Sequence, residues 1–336
     1  MIMNTPSSLP LSWLQRLLQD PQLSQFELVQ SLWSDFGQLL RCYSPARQAS
    51  VIIKLISQPA TFRHPRGWSS QQSLERKWRS YEIEQYFYTH YAPLFADYGH
   101  LARLIASDAV SNESGTRLAL VLSDLNTAGF EGRHQQLSAD ACKPVLAWLA
   151  AFHGRFIHQS PSGLWSQGSY WHLATRPDEF SKMAEGPLKQ FGPAFDKTLQ
   201  QCPYRTLIHG DAKVANFCFS ADGQAVAAVD FQYVGGGIGV QDVAYFLGSV
   251  LSEQDLLNHT KDCLDYYFRE LHSALSKQLA PEECEAVCNS WRQLYCVASA
   301  DFHRFLAGWS PEHFKINRML QQQTEQAIAL VSARPQ

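Results

Sequence analysis

The stretch Leu207–Ser220, LIHGDAKVANFCFS, followed by Ala225–Gln232, AVAAVDFQ, decides how this chain is read. Phe217–Phe219 and Ala225–Val229 have strand character, and Asp222-Gly223 between them is a strong hairpin turn. Pairing the two strands puts Asn216 and Asp230 side by side at the open end of the hairpin. Asp211 falls in the loop just before, with His209 and Lys213 nearby. Two carboxylates and an amide oxygen therefore converge. Hard oxygen ligands are what Mg²⁺ requires, and substrate phosphates usually complete its shell. A carboxylate left off the metal can orient or deprotonate a hydroxyl nucleophile. An HGD turn by itself is only a turn; the whole constellation, in order and around a hairpin, carries the functional reading.

Upstream of this segment the pattern is strand-rich. Leu11–Leu18 reads as a short amphipathic helix started near Ser7–Ser8 and stopped by Pro21. Phe26–Leu32, Leu39–Tyr43, Ser50–Ile56, Leu101–Ala106 and Leu118–Leu122 read as strands, and Ser69–Tyr91 as a long helix. Lys54 stands inside the run SVIIKLI, where a buried, unpaired ammonium would be costly. An edge-strand lysine pointing to solvent is the ordinary alternative. Downstream, helical periodicity dominates: Ala139–Phe156 with Pro144 in its early turn, then Leu264–Leu275, Glu283–Leu306 and His313–Val331. Ser160–Glu179 reads as an aromatic- and glycine-rich loop. The expected architecture is α+β, a strand-rich part over residues 1–125 joined to a mainly helical part over 126–336.

The spacing His209-x-Asp211-x-x-x-x-Asn216 before Asp230-Phe231 resembles the catalytic core of the protein-kinase-like superfamily. Glycine after the histidine is similar to its small-molecule branch, the aminoglycoside phosphotransferases and choline kinases. LAWLAAFHGRF (146–156) and WRQLYCVASADFHRFLAGW (291–309) resemble ecdysteroid-kinase-like members. The resemblance implies a two-lobed fold, with residues 1–125 as the nucleotide-binding lobe and 126–336 as the catalytic and substrate lobe, ATP as phosphoryl donor and Mg²⁺ as metal. It implies Asp211 as catalytic base, Lys213 beside the transferred phosphate, and Asn216 and Asp230 as Mg²⁺ ligands. Lys54 would grip the nucleotide's α- and β-phosphates and pair with Glu84, or with Glu82 on another helix face. In LALVLSDLNTAGF (118–130), Ser123, Asp124 and Leu125 would form the adenine-binding hinge; the family usually has Glu where Ser123 stands, and Asp124 is equally readable as a loop acid. Asp242 would anchor the catalytic loop through backbone N–H groups, and His209 and His153 would be structural. Gly235–Gly237 and Gly239 would let the chain pass close to the site.

Only about a dozen positions separate Asp230 from Asp242, too few for the long segment with which protein kinases hold a peptide, so the expected acceptor is a small hydroxylated molecule. Trp165, Tyr170, Trp171 and Arg176, with Trp291, Tyr295, Asp301 and Arg304, could line its pocket. Trp291, Tyr295 and Trp309 could cage a quaternary ammonium, although helical spacing also makes Trp291 and Tyr295 core residues. A choline-like, sterol-like or aminoglycoside-like acceptor all fit. The turn Trp33–Gln38 has a single glycine and an aspartate where phosphates would pass. A weak or inactive nucleotide-binding scaffold with the same fold is therefore the rival reading. A metal-dependent hydrolase using His209, Asp211 and Asp230 would need further ligands that the sequence does not offer.

Composition narrows the classes. With 336 residues, 45% hydrophobic and 18% charged, the chain can bury a substantial core. Net charge is −3 without a Lys/Arg block, so nothing favours nucleic acid. The eight cysteines lack a CxxC pair, and Cys284 and Cys288, one helical turn apart, read as packing; scattered thiols fit a reducing cytoplasm. No signal peptide and no apolar run of membrane length is seen, so the expectation is a soluble protein with no membrane partner. Oligomeric state is not legible.

Overall fold

The element bounds come from a computed structural model that describes residues 9–32, 36–57, 71–112 and 115–333. The Ser7–Ser8 helix start, the Trp33-Ser34-Asp35 part of the first turn and the Ser69 helix start lie outside these residues. The chain divides into two units, residues 1–94 with 101–131, and residues 95–100 with 132–336.

The first unit begins with α1 (Leu11–Leu18), followed by β1 (Ser24–Ser31), β2 (Gly37–Ser44) and β3 (Ala49–Ser57). Then come α2 (Gln71–His90), the short α3 (Ala92–Phe95) and β4 (His100–Leu101) at the crossings between units, β5 (Leu104–Asn112) and β6 (Gly115–Ser123). The run expected at Leu101–Ala106 is thus broken at Ala102–Arg103, and the true strand extends farther. β1, β2, β3, β6 and β5 form one antiparallel sheet in that order, which makes β3 its central strand. Alternation sorts the side chains of β3 between two faces. Val51, Ile53 and Leu55 join Trp13, Leu14 and Leu18 of α1 in one core, whereas Ile56 packs with Tyr81 of α2 and Leu118. Each fully buried aliphatic side chain contributes roughly 1.5–3 kcal/mol. Lys54 opposes Leu39 and Leu120 and belongs to the α2 face by the same alternation. It is not an edge-strand lysine.

The second unit contains α4 (Lys143–Arg155), α5 (Pro177–Lys182), α6 (Pro187–Gln200), β7 (Thr206–Ile208), β8 (Phe217–Phe219), β9 (Val226–Ala228), β10 (Gly235–Gly237), α7 (Val240–Val250), α8 (Glu253–Leu275), α9 (Pro281–Trp309) and α10 (Arg318–Ser332). β8 and β9 form an antiparallel hairpin in the register Phe217↔Ala228, with Gly223 at φ +69° in its turn. Trp148 and Phe152 of α4 stack at 5.2 Å and meet Phe217 and Phe231 edge-on or tilted, so an aromatic core backs the hairpin. The glycine run 235–237 is a strand paired with Thr206–Ile208, the residues that lead into His209. A Cβ on Gly235 would stand 2.3 Å from the Trp165 carbonyl oxygen, which explains the absence of side chains there.

Several helices differ from expectation. α8 begins eleven residues before Leu264, capped by Ser252, whose side chain accepts from the Asp255 N–H. α10 begins at Arg318 with Asn317 as cap, not at His313. α6 was not among the expected helices, and it continues through Pro193. All eight cysteines are free; Cys284 and Cys288 donate weakly to the Leu279 and Phe268 carbonyls. Among the described residues no helix is long and apolar enough to cross a membrane.

Candidate active site

In the first unit, the Lys54 ammonium lies 2.6 Å from Glu84 Oε2, with both side chains almost fully buried. Glu82 faces elsewhere, accepting from Trp78 and pairing with Arg79 at the surface. The Tyr81 ring lies 5.4 Å from Lys54 Nζ and adds a cation–π contact. Glu84→Gln keeps an acceptor for Lys54 but removes the charge. It is expected to lower stability by about 2 kcal/mol, the scale of a hydrogen bond to a charged group, in urea unfolding. An unchanged midpoint would mean that desolvation offsets the pair entirely.

At the end of β6, Ser123 Oγ accepts from the Arg103 N–H. The Asp124 carboxylate is committed: Oδ2 to Arg41 Nε at 2.7 Å, Oδ1 to the Asn126 N–H at 3.0 Å. Leu125 is buried and its carbonyl accepts from Ala128 and Phe130. What this segment can offer an aromatic base is backbone, not the Asp124 side chain.

In the second unit, the catalytic-loop candidates are built on one buried carboxylate. Asp242, in the first turn of α7, accepts the His209 N–H at 2.6 Å and the Gly210 N–H at 2.9 Å. His153 Nε2 is 3.1 Å from the same carboxylate, and its Nδ1 is 2.8 Å from the Tyr267 hydroxyl. Gly210 sits at φ +78°, and a Cβ there would be 2.0 Å from the Tyr233 carbonyl oxygen. His209 is fully buried: Nε2 meets the Val229 carbonyl at 3.0 Å, and Nδ1 accepts the Asp211 N–H at 3.3 Å. With Nδ1 accepting an N–H and Nε2 facing a carbonyl, the ring donates through Nε2.

Asp211 therefore emerges from a loop clamped on both sides. Its Oδ2 accepts from Lys213 Nζ at 2.9 Å and from Asn216 Nδ2 at 3.1 Å. Its Oδ1 is buried and has no hydrogen-bond partner among the described residues. Burial raises the Asp211 pKa; Lys213 opposes this and Asp230 reinforces it. Burial works against the charge on Lys213, but the carboxylates of Asp211 and Asp230 outweigh it and raise its pKa.

Asn216 accepts the Val229 N–H on its backbone carbonyl, which places it beside the end of β9 and next to Asp230. Its amide nitrogen is spent on Asp211, to the carbonyl at 2.8 Å as well as to the carboxylate, so the polar atom it can present to a cation is its oxygen. Asp230 adopts φ +67°, a left-handed conformation costly for a side chain other than glycine, and receives Gln232 Nε2 on Oδ1 at 2.6 Å. The donor set is thus one amide oxygen and carboxylate oxygens, which fits a hard divalent cation such as Mg²⁺.

Residues 168–279 match the model of the ecdysteroid kinase-like family. That span holds Asp211, Lys213, Asn216, Asp230 and Asp242. Solved structures with a similar fold include amicoumacin kinase hAmiN in complex with AMP-PNP, Ca²⁺ and Ami, 12% identical over 91% of this chain and 87% of that chain with a TM-score of 0.51. Another is the microcompartment-associated aminopropanol kinase, 13% identical over 96% of each chain with a TM-score of 0.50. No match was found among curated proteins. The chain has the α+β fold of these small-molecule kinases.

Of the residues considered for the acceptor pocket, Trp291 follows the core alternative, and Tyr245 is an addition that the sequence reading did not single out. Trp291 is fully buried and donates to the Tyr204 carbonyl, so it is core and not part of an ammonium cage. Tyr170 and Tyr245 join hydroxyls at 3.2 Å, and burial, Tyr170 and Asp211 together push the Tyr245 phenol far above its ordinary range. Arg176 holds the Tyr170 carbonyl at 2.6 Å. Arg304 is fully buried, paired with Asp301, and donates to the Trp171 carbonyl.

Proposed function

We propose that this protein transfers the γ-phosphoryl group of ATP to a hydroxyl of a small molecule, in a magnesium-dependent reaction. The observation that carries the reading is Asp211, whose Oδ2 is held by Lys213 and Asn216 while buried Oδ1 stays unpartnered. An acceptor hydroxyl donating to Oδ1 would be oriented for attack on the γ-phosphorus. As the new O–P bond forms, the bond to the β-phosphate oxygen breaks and ADP leaves with its electron pair. The acceptor's proton passes to Asp211. Lys213, fixed beside Asp211, would stabilise charge on the phosphoryl oxygens, and Lys54, held by Glu84, would bind the α- and β-phosphates. Asn216 and Asp230 would hold Mg²⁺, which when bound neutralises charge on the nucleotide phosphates.

Phosphorus NMR of ATP with a panel of small alcohols tests this. The expected result is ADP plus a phosphomonoester, abolished by EDTA. Because the Asp211 pKa is raised, the carboxylate loses its base form as pH falls through that elevated value. The acid limb of kcat/KM, which reports the free enzyme, should therefore lie above the ordinary carboxylate range. ATP converted only to ADP and inorganic phosphate, whatever the alcohol, would contradict transfer.

A further inference from the structure

A recess in the second unit lies between α7, the first turn of α8, α9 and the start of α10. Phe302, Leu256 and Leu320 supply an apolar wall, while Ser299, Asn317 and Lys315 supply polar atoms. Lys315 is half-buried, and no carboxylate lies within ion-pair distance of its ammonium among the described residues. Its Nζ stands 5.3 Å from the centre of the Tyr245 ring. Burial lowers its pKa, Asp211 raises it and Lys213 lowers it, so this ammonium lies within the field of the catalytic loop. Asn317 spends its Oδ1 on the Leu320 N–H, which leaves its amide nitrogen as a donor. The other nearby cations are already satisfied: Lys213 by Asp211, Arg176 by Glu179 and the Tyr170 carbonyl.

We propose that this recess binds the anionic end of the phosphoryl acceptor, with Lys315 as its counter-ion and the apolar wall against its body. A desolvated ammonium without a counter-ion is unfavourable, and a carboxylate supplies the missing charge with a strong hydrogen bond. An ammonium-bearing acceptor would meet repulsion from Lys315 in the same place. The site thus selects hydroxylated anions over choline-like or aminoglycoside-like cations. The word acceptor rests on the kinase reading; the binding chemistry does not.

The test is calorimetric titration of the full chain, without nucleotide, with ω-hydroxydecanoate, decanediol and ω-aminodecanol. The carboxylate is expected to bind about tenfold tighter than the diol, with the amine weakest. Lys315→Met, which keeps the aliphatic stem, should erase that preference, and Lys315→Arg should retain it. Equal affinities, no binding of ω-hydroxydecanoate, or a preference that survives Lys315→Met would overturn the proposal. Because no nucleotide is present, failure of phosphoryl transfer would leave these isotherms unchanged, so the two readings fail separately.

Discussion

Asp211→Asn is expected to lower phosphoryl transfer by about 10³-fold, within the range for loss of a general base, while ATP affinity in Mg²⁺ stays within about twofold. Asparagine is nearly isosteric and leaves the backbone anchors on Asp242 in place. The Asn216 bond to the residue-211 carbonyl also remains. What is lost is a proton acceptor at Oδ1 and the negative partner of Lys213. Stability gives an independent readout. A carboxylate whose folded-state pKa is raised by burial destabilises the native state once ionised, and the effect is present above that pKa. Removing the charge should therefore leave the urea midpoint at neutral pH unchanged or raise it. Single-turnover kinetics and urea unfolding of the same preparation check both statements. Unchanged turnover would remove Asp211 from the reaction.

Most of the loop around Asp211 was legible because its determinants are local in sequence. Asp222-Gly223 fixes the hairpin, the hairpin fixes which residues stand beside Asp230, and Gly210 is a residue whose conformation admits little else. Lys54 was legible as an anomaly in an apolar run, and choosing Glu84 over Glu82 was a question of helix face. Elsewhere tertiary context decided. Pro193 and Gly192 argue against a helix locally, but α6 packs against α9 and persists. Trp291 has the helical spacing of either a core or a pocket residue, and its full burial and its bond to the Tyr204 carbonyl separate the two. Gly235–Gly237 was expected to let the chain pass close by, and a Cβ on Gly235 would indeed meet the Trp165 carbonyl, but its strand pairing with Thr206–Ile208 depends on a partner far from it in sequence. Lys315 carried no sequence signal: its meaning comes from Tyr245 beneath it and from Asp211 nearby.

The central claim is that Asp230 and Asn216 hold the metal that makes nucleotide binding strong. Asp230 is held at φ +67°, which asparagine tolerates and alanine does not, so Asp230→Asn removes the charge without adding backbone strain. Loss of a charged ligand should weaken Mg²⁺-dependent ATP binding on the order of 100-fold. Binding in EDTA should change little, because the Lys54–Glu84 pair does not involve this residue. Calorimetric titration of ATP, with Mg²⁺ and with EDTA, on wild type and Asp230→Asn measures this directly. The account requires tight binding only for wild type with Mg²⁺, and equal weak binding in the other three titrations. Wild-type affinity that is the same with and without Mg²⁺, or a variant that keeps the full metal response, would contradict it.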